Sequence, residues 1–263
     1  MDKITRGVII LVKTIAIANQ KGGVTKTTAT FNIAAAMAEQ GKKVLMVDLD
    51  SQASLTISAG LEPLDMEYTV CDLLKKRRVE TAKCVYKLEN IKNLSIIPSI
   101  IDLAALEMEL QGRTSREKIL SRSLKEIKDD YDYIIIDCPP QLSILTLNAL
   151  AACDYVIIPC KTDYLSYRGL EQLNETIKDV QDLVNPAISV KGVIATLYEK
   201  NVKDHNEILD MLAKQYRIIG TTKKTAEATK GVYDGMPVVL KNKRTDIAKE
   251  YMNIAKIIMK EGN

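Results

Sequence analysis

The chain contains little of what aromatic or histidine-based chemistry requires. Its 263 residues include no tryptophan, one phenylalanine (Phe31) and one histidine (His205). Stacking on aromatic rings is therefore not expected to dominate any binding of single-stranded nucleic acid, although eleven tyrosines are present. A single histidine excludes metal sites built from several histidines.

Cysteine is sparse and irregularly placed. The five cysteines stand at positions 71, 84, 138, 153 and 160, an odd number without a C-x-x-C pair. This spacing predicts neither a disulfide framework nor a zinc site, and it fits small core thiols in a reducing cytosol.

Long apolar runs are also absent from the sequence. No stretch approaches the roughly 18–20 apolar residues of a membrane span. Residues 1–11 carry Lys3 and Arg6 before a short apolar run, which is shorter than a signal peptide requires. We interpret residues 1–11 as an N-terminal extension without an assignable role, and residues 1–263 as a single domain.

Charge is nearly balanced but unevenly distributed. The formal net charge is +3, whereas residues 214–263 hold eleven Lys or Arg against five Asp or Glu. A basic C-terminal fifth on a nearly neutral body predicts one positive face.

Strand-like and helix-like runs alternate along the chain. The predicted strands are 12–18, 43–48, 94–98, 133–137, 155–159, 190–197 and, as a short candidate, 216–219. The predicted helices are 32–40, 103–111, 116–128, 143–152, 169–183, 204–215 and 246–260. Continuous apolar strands joined by helical crossovers predict an α/β fold, a doubly wound and mostly parallel sheet with helices on both faces.

The residues between the first strand and the first helix have the layout of a phosphate-binding loop. They read Lys21-Gly22-Gly23-Val24-Thr25-Lys26-Thr27-Thr28. Glycines let backbone N–H groups turn toward an anion, and the helix presents its positive end to the same anion. Lys26 would contact the β- and γ-phosphates and Thr27 would hold Mg²⁺. The strict G-x-x-x-x-G-K-[ST] pattern fails, because Gln20 and Thr25 occupy its glycine positions.

Two further strands end in aspartate. Asp48 follows an apolar strand, as does Asp137. We expect both strands to lie beside the loop strand, with Asp137 on the Mg²⁺ side and acting through a coordinated water. Asp48 would orient or deprotonate the attacking water, supported by Asp50 and Gln52. The alternative is that these residues serve only as helix caps or turn formers.

Lys21 stands before the glycines, while Lys26 already serves the phosphates. It could reach the nucleotide of a second subunit, as arginine fingers do, and so couple ATP binding to dimerisation. The alternative is an exposed surface lysine.

These residues resemble the ParA/Soj family of DNA-partition ATPases, within the MinD-like group. The most specific matches are residues 13–23, Val47-Asp48-Leu49-Asp50-Ser51-Gln52 and Ile136-Asp137-Cys138-Pro139-Pro140. Weaker matches are Ile157-Ile158-Pro159, Arg168-Gly169-Leu170, Ala226-Glu227-Ala228 and Gly235-Met236-Pro237-Val238.

The resemblance implies roles for individual residues. Lys21 would be the signature lysine of an ATP sandwich dimer, and Lys26 and Thr27 the phosphate and Mg²⁺ ligands. Asp48 would be required for hydrolysis, and Asp137 would be the second acid near Mg²⁺. Met236 and Pro237 lie near the position where the family packs adenine.

Two departures qualify the resemblance. The family usually has glycine at Thr25, so a slow ATPase is expected without loss of function. The sequence before the loop is also too short for the helix-turn-helix domain of larger partition ATPases. We therefore expect the short form, without operator-specific repression.

The resemblance further implies that the ATP-bound dimer binds double-stranded DNA without sequence preference. Such binding needs only Lys or Arg facing phosphates. The candidate contacts are Lys200, Lys223, Lys224, Lys230, Lys243 and Arg244. For each of them, and for the basic run at 75–78, the alternative is a solvated surface.

The expected function is therefore a cytoplasmic, nucleoid-associated ATPase, using ATP and Mg²⁺, whose slow hydrolysis is stimulated by a ParB-like partner. A MinD-like membrane protein is the first rival, although the last helix has core spacing instead of bulky anchors. A GTPase is the second, because Cys160-Lys161-Thr162-Asp163 mimics part of an N-K-x-D guanine reader. A metabolic ligase or reductase on the same fold is the third.

Overall fold

The computed structural model describes residues 12–75, 79–225 and 235–260. Strands and helices alternate over this part of the chain. The strands are β1 Lys13–Ile17, β2 Val44–Asp48, β3 Tyr86–Lys87, β4 Leu94–Ile97, β5 Tyr133–Asp137, β6 Tyr155–Lys161, β7 Ser189–Thr196 and β8 Ile218–Thr222. The helices are α1 Lys26–Glu39, α2 Ser54–Ser58, α3 Val70–Leu74, α4 Leu103–Leu110, α5 Ile119–Leu124, α6 Ile144–Ala152, α7 Tyr164–Arg168, α8 Leu170–Leu183, α9 Lys203–Gln215, α10 Val238–Lys241 and α11 Asp246–Lys260.

The strands form one sheet in the order β3-β4-β2-β5-β1-β6-β7-β8. Seven strands run parallel, and the two-residue β3 pairs antiparallel with β4 at one edge. The parallel strands are buried on both faces, as their continuous apolar sequences require. The predicted doubly wound α/β fold is confirmed.

Each face of the sheet has its own core. On one face α1, α10 and α11 pack on the strands, with Phe31, Val239 and Tyr251 among the buried side chains. On the other face the core includes residues of α3 to α6, α8 and α9. The final helix buries Ile247, Tyr251, Ile254 and Ile258, so its apolar stripe packs on the protein as expected.

Two predicted helices have different bounds in the structure. The first begins at Lys26 instead of residue 32, because its first turn is formed by the end of the glycine loop. The predicted helix at 116–128 divides into a 3₁₀ turn at Arg116–Lys118, α5, and a second 3₁₀ turn at Lys128–Asp130. Where the turn meets α5, Asn148 of α6 binds backbone, accepting from Leu120 N and donating to Arg116 O.

The neighbours of β1 differ from the expectation. β5, which ends in Asp137, does pair with β1, but β2, which ends in Asp48, pairs with β5 and β4. Asp48 and Asp137 are direct partners in the register of β2 and β5. The two acids therefore adjoin each other at the carboxyl edge, and only Asp137 is on a strand next to the loop strand.

Candidate nucleotide-binding site

The glycine loop connects β1 to α1 at the carboxyl edge of the sheet. Gly23 has a φ of +73°, a left-handed conformation that suits glycine. Lys26 begins α1 and is only 8% exposed, and its Nζ donates to Lys21 O at 3.2 Å. Burial lowers the pKa of Lys26, and the charge of Asp137 opposes this effect. The lysine ammonium is thus held inside the loop, where a phosphate would meet it.

Two buried polar side chains hydrogen-bond the loop region to β6 and β7. Asn19 accepts a hydrogen bond from Lys21 N at 2.9 Å and donates to Pro159 O of β6 at 2.7 Å. Thr196 of β7 donates to Val24 O at 3.2 Å. The role of Thr196 was not foreseen, because nothing in its local sequence indicates which loop it would contact.

Thr25 has a conformation that β-branched residues rarely adopt. It precedes α1 with φ 66° and ψ 30°, in the left-handed region. Its carbonyl accepts the hydrogen bond of Ala29 N at 2.9 Å, which starts the helix. Its side chain lies near the hydroxyl of the buried Tyr251 on α11. The position has the backbone for which the usual glycine is suited, although the residue is threonine.

Asp137 at the end of β5 lies against the first turns of α1. Its two carboxylate oxygens accept hydrogen bonds from Thr27 Oγ1 at 2.7 Å and from Thr30 Oγ1 at 3.2 Å. Asp137 is buried, and burial together with the nearby Asp48 raises its pKa to about 8. The structure therefore brings together the two residues expected at the Mg²⁺ site, Thr27 and Asp137. Thr30 was not foreseen.

Asp48 at the end of β2 is fully buried and accepts hydrogen bonds from the turn after β2 and from α2. It accepts hydrogen bonds from the backbone N and the hydroxyl of Thr56, at 2.9 Å and 2.8 Å, and from Asp50 N at 3.2 Å. Burial raises its pKa to about 6, although these hydrogen bonds favour the charged form. Asp50 in turn accepts from Gln52 N at 3.0 Å, so Gln52 contributes its backbone to this turn.

The residues expected to contact adenine directly precede α10, which packs on α1. Met236 is partly buried and Pro237 is buried, and Pro237 is the residue before α10. Met236 packs against the core that includes α1. The phosphate loop and this segment are therefore both in contact with α1.

The comparisons with known proteins agree with this geometry. A family model described as an AAA domain matches residues 12–190. The sporulation initiation inhibitor protein Soj of Bacillus subtilis is 38% identical over 258 residues, covering 95% of this chain and 99% of Soj. The chromosome-partitioning ATPase Soj of Treponema pallidum is 37% identical, covering 95% and 98%. The chain belongs to the ParA/Soj family.

A solved structure is similar over nearly the whole chain. Cobyrinic acid a,c-diamide synthase of Mycobacterium smegmatis, with a bound ATP analogue and magnesium, superposes with a TM-score of 0.81. It is 35% identical and covers 95% of this chain and 96% of its own. Membership of the ParA/Soj family and the similarity to this solved structure both agree with a P-loop fold.

In this ParA/Soj chain, Lys21 lines a cleft of about 540 Å³ in front of the loop. The other wall is α7, where Tyr164 and Leu165 are 58% and 68% exposed. Asp163 begins α7 by accepting from Ser166 N at 2.8 Å, and it forms an ion pair with Lys161 at 3.0 Å. The carboxylate that resembled a guanine reader is therefore engaged as a helix cap.

The basic residues expected to contact DNA lie on neighbouring loops. Tyr198 N donates to Thr222 O at 3.0 Å, which joins the loop before Lys200 to the residue before Lys223. Lys223 forms an ion pair with Asp246 at 3.6 Å, next to the start of α11. Lys200, Lys223, Lys224, Lys243 and Arg244 are all exposed.

Some of these charges are shared with acids. Lys243 is paired with Glu39 at the end of α1, and Lys75, from the separate basic run, is paired with Asp72 at 2.9 Å. Lys230, the remainder of the run at 76–78 and the match at 226–228 lie outside the described residues. Five of the six candidate contacts thus lie on neighbouring loops, and the charges of Lys223 and Lys243 are partly compensated by Asp246 and Glu39.

The five cysteine thiols are all buried and free, as their spacing predicts. Burial raises the pKa of each of them, which keeps the thiols protonated and unreactive.

The helices give a separate observation. Within 12–75, 79–225 and 235–260, no helix is both long and apolar enough to cross a membrane.

Proposed function

We propose that this ParA/Soj protein is an ATPase that binds and hydrolyses ATP with Mg²⁺ and thereby controls its attachment to DNA. The observation that carries the proposal is the arrangement around α1. A buried lysine and a hydroxyl that donates to a buried aspartate lie at one glycine loop, and a second buried aspartate is the register partner of the first. The bound ATP analogue and magnesium of the Mycobacterium smegmatis protein support these ligands.

The residues fit a magnesium nucleotide. Hydroxyl and carboxylate oxygens, such as those of Thr27 and Asp137, are the ligands that Mg²⁺ prefers together with phosphates. Bound Mg²⁺ would neutralise charge that develops on the transferring phosphate. The backbone of residues 22–28 and Lys26 bind the triphosphate, while Met236 and Pro237 contact adenine.

Asp48 acts on the attacking water in this proposal. Its carboxylate accepts hydrogen bonds from Thr56 N, Thr56 Oγ1 and Asp50 N and is fully buried. Because Asp48 is buried, contact with water requires a local opening of the residues around it. A need for such an opening agrees with slow hydrolysis that a ParB-like partner protein stimulates.

Two copies join across the nucleotide, and Lys21 of each copy contacts the phosphates held by the other. The exposed Tyr164 and Leu165 beside Lys21 support an interface on this side. The dimer then presents the basic loops around Lys200, Lys223, Lys224, Lys230, Lys243 and Arg244 to DNA phosphates. The protein would be cytoplasmic and associated with the nucleoid, where it positions a plasmid, mobile element or chromosome origin.

An amide-forming enzyme is the second candidate, because the Mycobacterium smegmatis neighbour is a cobyrinic acid a,c-diamide synthase. Taking nitrogen from glutamine requires an activated nucleophile such as a thiolate. The five thiols are buried with raised pKa values, so none of them is activated in this way. The names of the two Soj relatives favour partition.

Retention on DNA tests the proposal. Wild-type protein should bind plasmid DNA only with Mg·ATP, and the affinity should fall steeply with salt. Lys26→Ala should abolish this retention, whereas Asp48→Ala should retain the dimer on DNA. Lys92→Ala removes an exposed lysine from the loop before β4 and serves as the charge-matched control.

Two outcomes would contradict the proposal. If Asp48→Ala hydrolyses ATP at the wild-type rate, the role given to Asp48 is wrong. If Mg·ATP promotes binding to anionic liposomes and not to DNA, the protein acts on membranes, as MinD-like proteins do. Competition by GTP against labelled ATP shows whether the protein prefers ATP or GTP, and so tests the GTPase alternative.

A further inference from the structure

Asn32 is a buried polar residue in the middle of the phosphate-loop helix. It is 3% exposed and is surrounded along α1 by buried small and apolar residues such as Ala29 and Ala36. Asparagine is a poor residue for a helix interior, and a buried amide costs free energy unless its oxygen and nitrogen are both hydrogen-bonded. Packing alone therefore does not explain this residue.

The side chain of Asn32 joins two distant parts of the site. Its Nδ2 donates to Thr28 O at 2.9 Å, in the first turn of α1 that follows the glycine loop. Its Oδ1 accepts from Val239 N at 3.2 Å, and that partner is 207 residues away. One amide thus connects the phosphate loop to the helix that follows Met236 and Pro237.

The hydrogen bond from Val239 replaces a missing helix cap. α10 has four residues, and the residue before it is Pro237, which makes no side-chain cap hydrogen bond. The first N–H groups of a helix need acceptors, and a helix this short is not stable alone. Asn32 supplies an acceptor that a serine or aspartate at position 237 would otherwise provide.

A second contact limits the same segment from its other side. Gly235 has a φ of +62°, and a Cβ built on it would lie 3.0 Å from the Cα of Gly60. Gly60 lies in the turn after α2. Val238 and Val239 are 2% and 0% exposed. Residues 235–239 are therefore held between α2 and α1, and the hydrogen bond to Asn32 sets their position along α1.

We propose that Asn32 is a positioning residue that fixes the base-binding segment at a set distance from the phosphate loop. A nucleotide spans this distance, so its base and its triphosphate can be held together only if the two parts keep their spacing. The inference rests on the proposed function, because it assumes that Met236 and Pro237 contact adenine.

The chain contains a matched control for this residue. Asn148 is also a buried asparagine within a helix, and its Nδ2 donates to Ile144 O at 2.8 Å, four residues earlier. Its Oδ1 accepts from the backbone N of Leu120 at 3.0 Å. Asn148 has the same two kinds of hydrogen bond as Asn32 and one more, from Nδ2 to Arg116 O at 2.8 Å. It lies beside the core on the opposite face of the sheet, with α5 and α6.

A serine at position 32 separates the two hydrogen bonds of Asn32. The hydroxyl of Asn32→Ser can donate to the carbonyl four residues earlier, as Thr30 Oγ1 does to Lys26 O at 3.1 Å. It is too short to reach Val239 N. Asn32→Ser should therefore keep α1 satisfied while it removes the cap of α10.

The test compares affinity for Mg·ATP with affinity for magnesium tripolyphosphate, which has no base. In Asn32→Ser and Asn32→Ala, the affinity for Mg·ATP should fall by about tenfold, the value of one net hydrogen bond in a binding site. The affinity for magnesium tripolyphosphate should change by less than about twofold. KM for ATP should rise while kcat is retained. Asn148→Ala should lower thermal stability without changing either affinity.

Each outcome has one meaning. If Asn32→Ser loses affinity for both ligands equally, or for neither, Asn32 does not position the base segment and the inference is wrong. If wild-type protein binds Mg·ATP no more tightly than magnesium tripolyphosphate, the adenine contact itself fails, and with it that part of the proposed function. If Asn32→Ala is unstable, Asn32→Ser and Asn148→Ala still decide the question.

Discussion

The Thr27 hydroxyl donates a 2.7 Å hydrogen bond to the buried carboxylate of Asp137. The bond links the first turn of α1 to the end of β5, so the helix and the sheet each bring one oxygen to the same place. The oxygens of this pair are suitable ligands for Mg²⁺ beside a triphosphate.

Removing the Thr27 hydroxyl should weaken the magnesium nucleotide specifically. Thr27→Val keeps the shape of the side chain but removes the oxygen, and the affinity for Mg·ATP should fall by about tenfold or more, as expected for a lost metal ligand. Thr27→Ser retains the oxygen and should bind nearly as wild type. Titration calorimetry with and without Mg²⁺ measures this. Equal affinities for the valine and serine variants would show that Thr27 does not ligate the metal.

Stability of the nucleotide-free protein should depend on the buried acids. The pKa of Asp137 is raised to about 8 and that of Asp48 to about 6, from 3.8. A folded state with raised pKa values binds protons more tightly than the unfolded state. The resulting stability is fully present below pH 3.8, and it is lost as pH rises through about 6 and about 8.

Denaturant unfolding between pH 5 and pH 9 checks this dependence. The free energy of unfolding of the wild-type protein should decline over this range, and Asp137→Asn should show a shallower decline because an amide does not ionise. Asp65→Asn, at an exposed aspartate in the turn after α2, should keep the wild-type slope. A slope that Asp137→Asn leaves unchanged would contradict the proton balance described for Asp137.

Thr56 should control the ionisation of Asp48. Its hydroxyl donates to Asp48 at 2.8 Å and accepts from Ser99 N at 2.9 Å. Thr56→Val removes both bonds and leaves a buried N–H unpaired, so it should destabilise the protein by about 1–3 kcal/mol. It should also raise the pKa of Asp48 further, because the hydroxyl stabilises the charged form.

The pH profile of ATP hydrolysis measures that second effect. In Thr56→Val the acidic limb should move to higher pH, since Asp48 must be ionised to act on water. Thr56→Ser keeps the hydroxyl and should retain the wild-type limb. Identical limbs in both variants would mean that Asp48 does not set the acidic limb.

Thr25 should be replaceable by glycine with a gain in stability. A β-branched residue in the left-handed region is strained, and glycine relieves the strain at a smaller cost in backbone entropy. Thr25→Gly should therefore stabilise the protein by roughly 1 kcal/mol and preserve ATP binding. Thermal unfolding measures the gain, and Ser115→Gly, at φ 51° before α5, is the matched change. A loss of stability in Thr25→Gly alone would show that contacts of the Thr25 side chain outweigh the strain.

The parts of the fold that were predicted correctly have strong local signals. β5 consists of three isoleucines between Tyr133 and Asp137, and its bounds match the expectation. The glycine loop was found because its glycines and lysines lie within eight residues. Both aspartates followed from apolar strands that end at the carboxyl edge.

The parts that were missed depend on contacts between distant residues. Thr30, Thr56, Thr196 and Asn32 contact the site through single side chains, and neither periodicity nor spacing indicates their partners. The order of β2 and β5 also depends on tertiary packing, so Asp48 was placed beside the wrong strand. Helix α3 was also not predicted, although its sequence held a signal: Thr69 and Asp72 have the spacing of a capping box, and the structure shows that they form one.

In the proposed function, a triphosphate on the loop joins two copies of the protein through Lys21. Sedimentation of Asp48→Ala in Mg·ATP tests it most directly, because blocked hydrolysis should preserve any dimer. Asp48→Ala should be a dimer, and the double variant Asp48→Ala, Lys21→Ala should be a monomer that still binds ATP. A monomer for Asp48→Ala, or a dimer that forms equally without nucleotide or without Lys21, would contradict it.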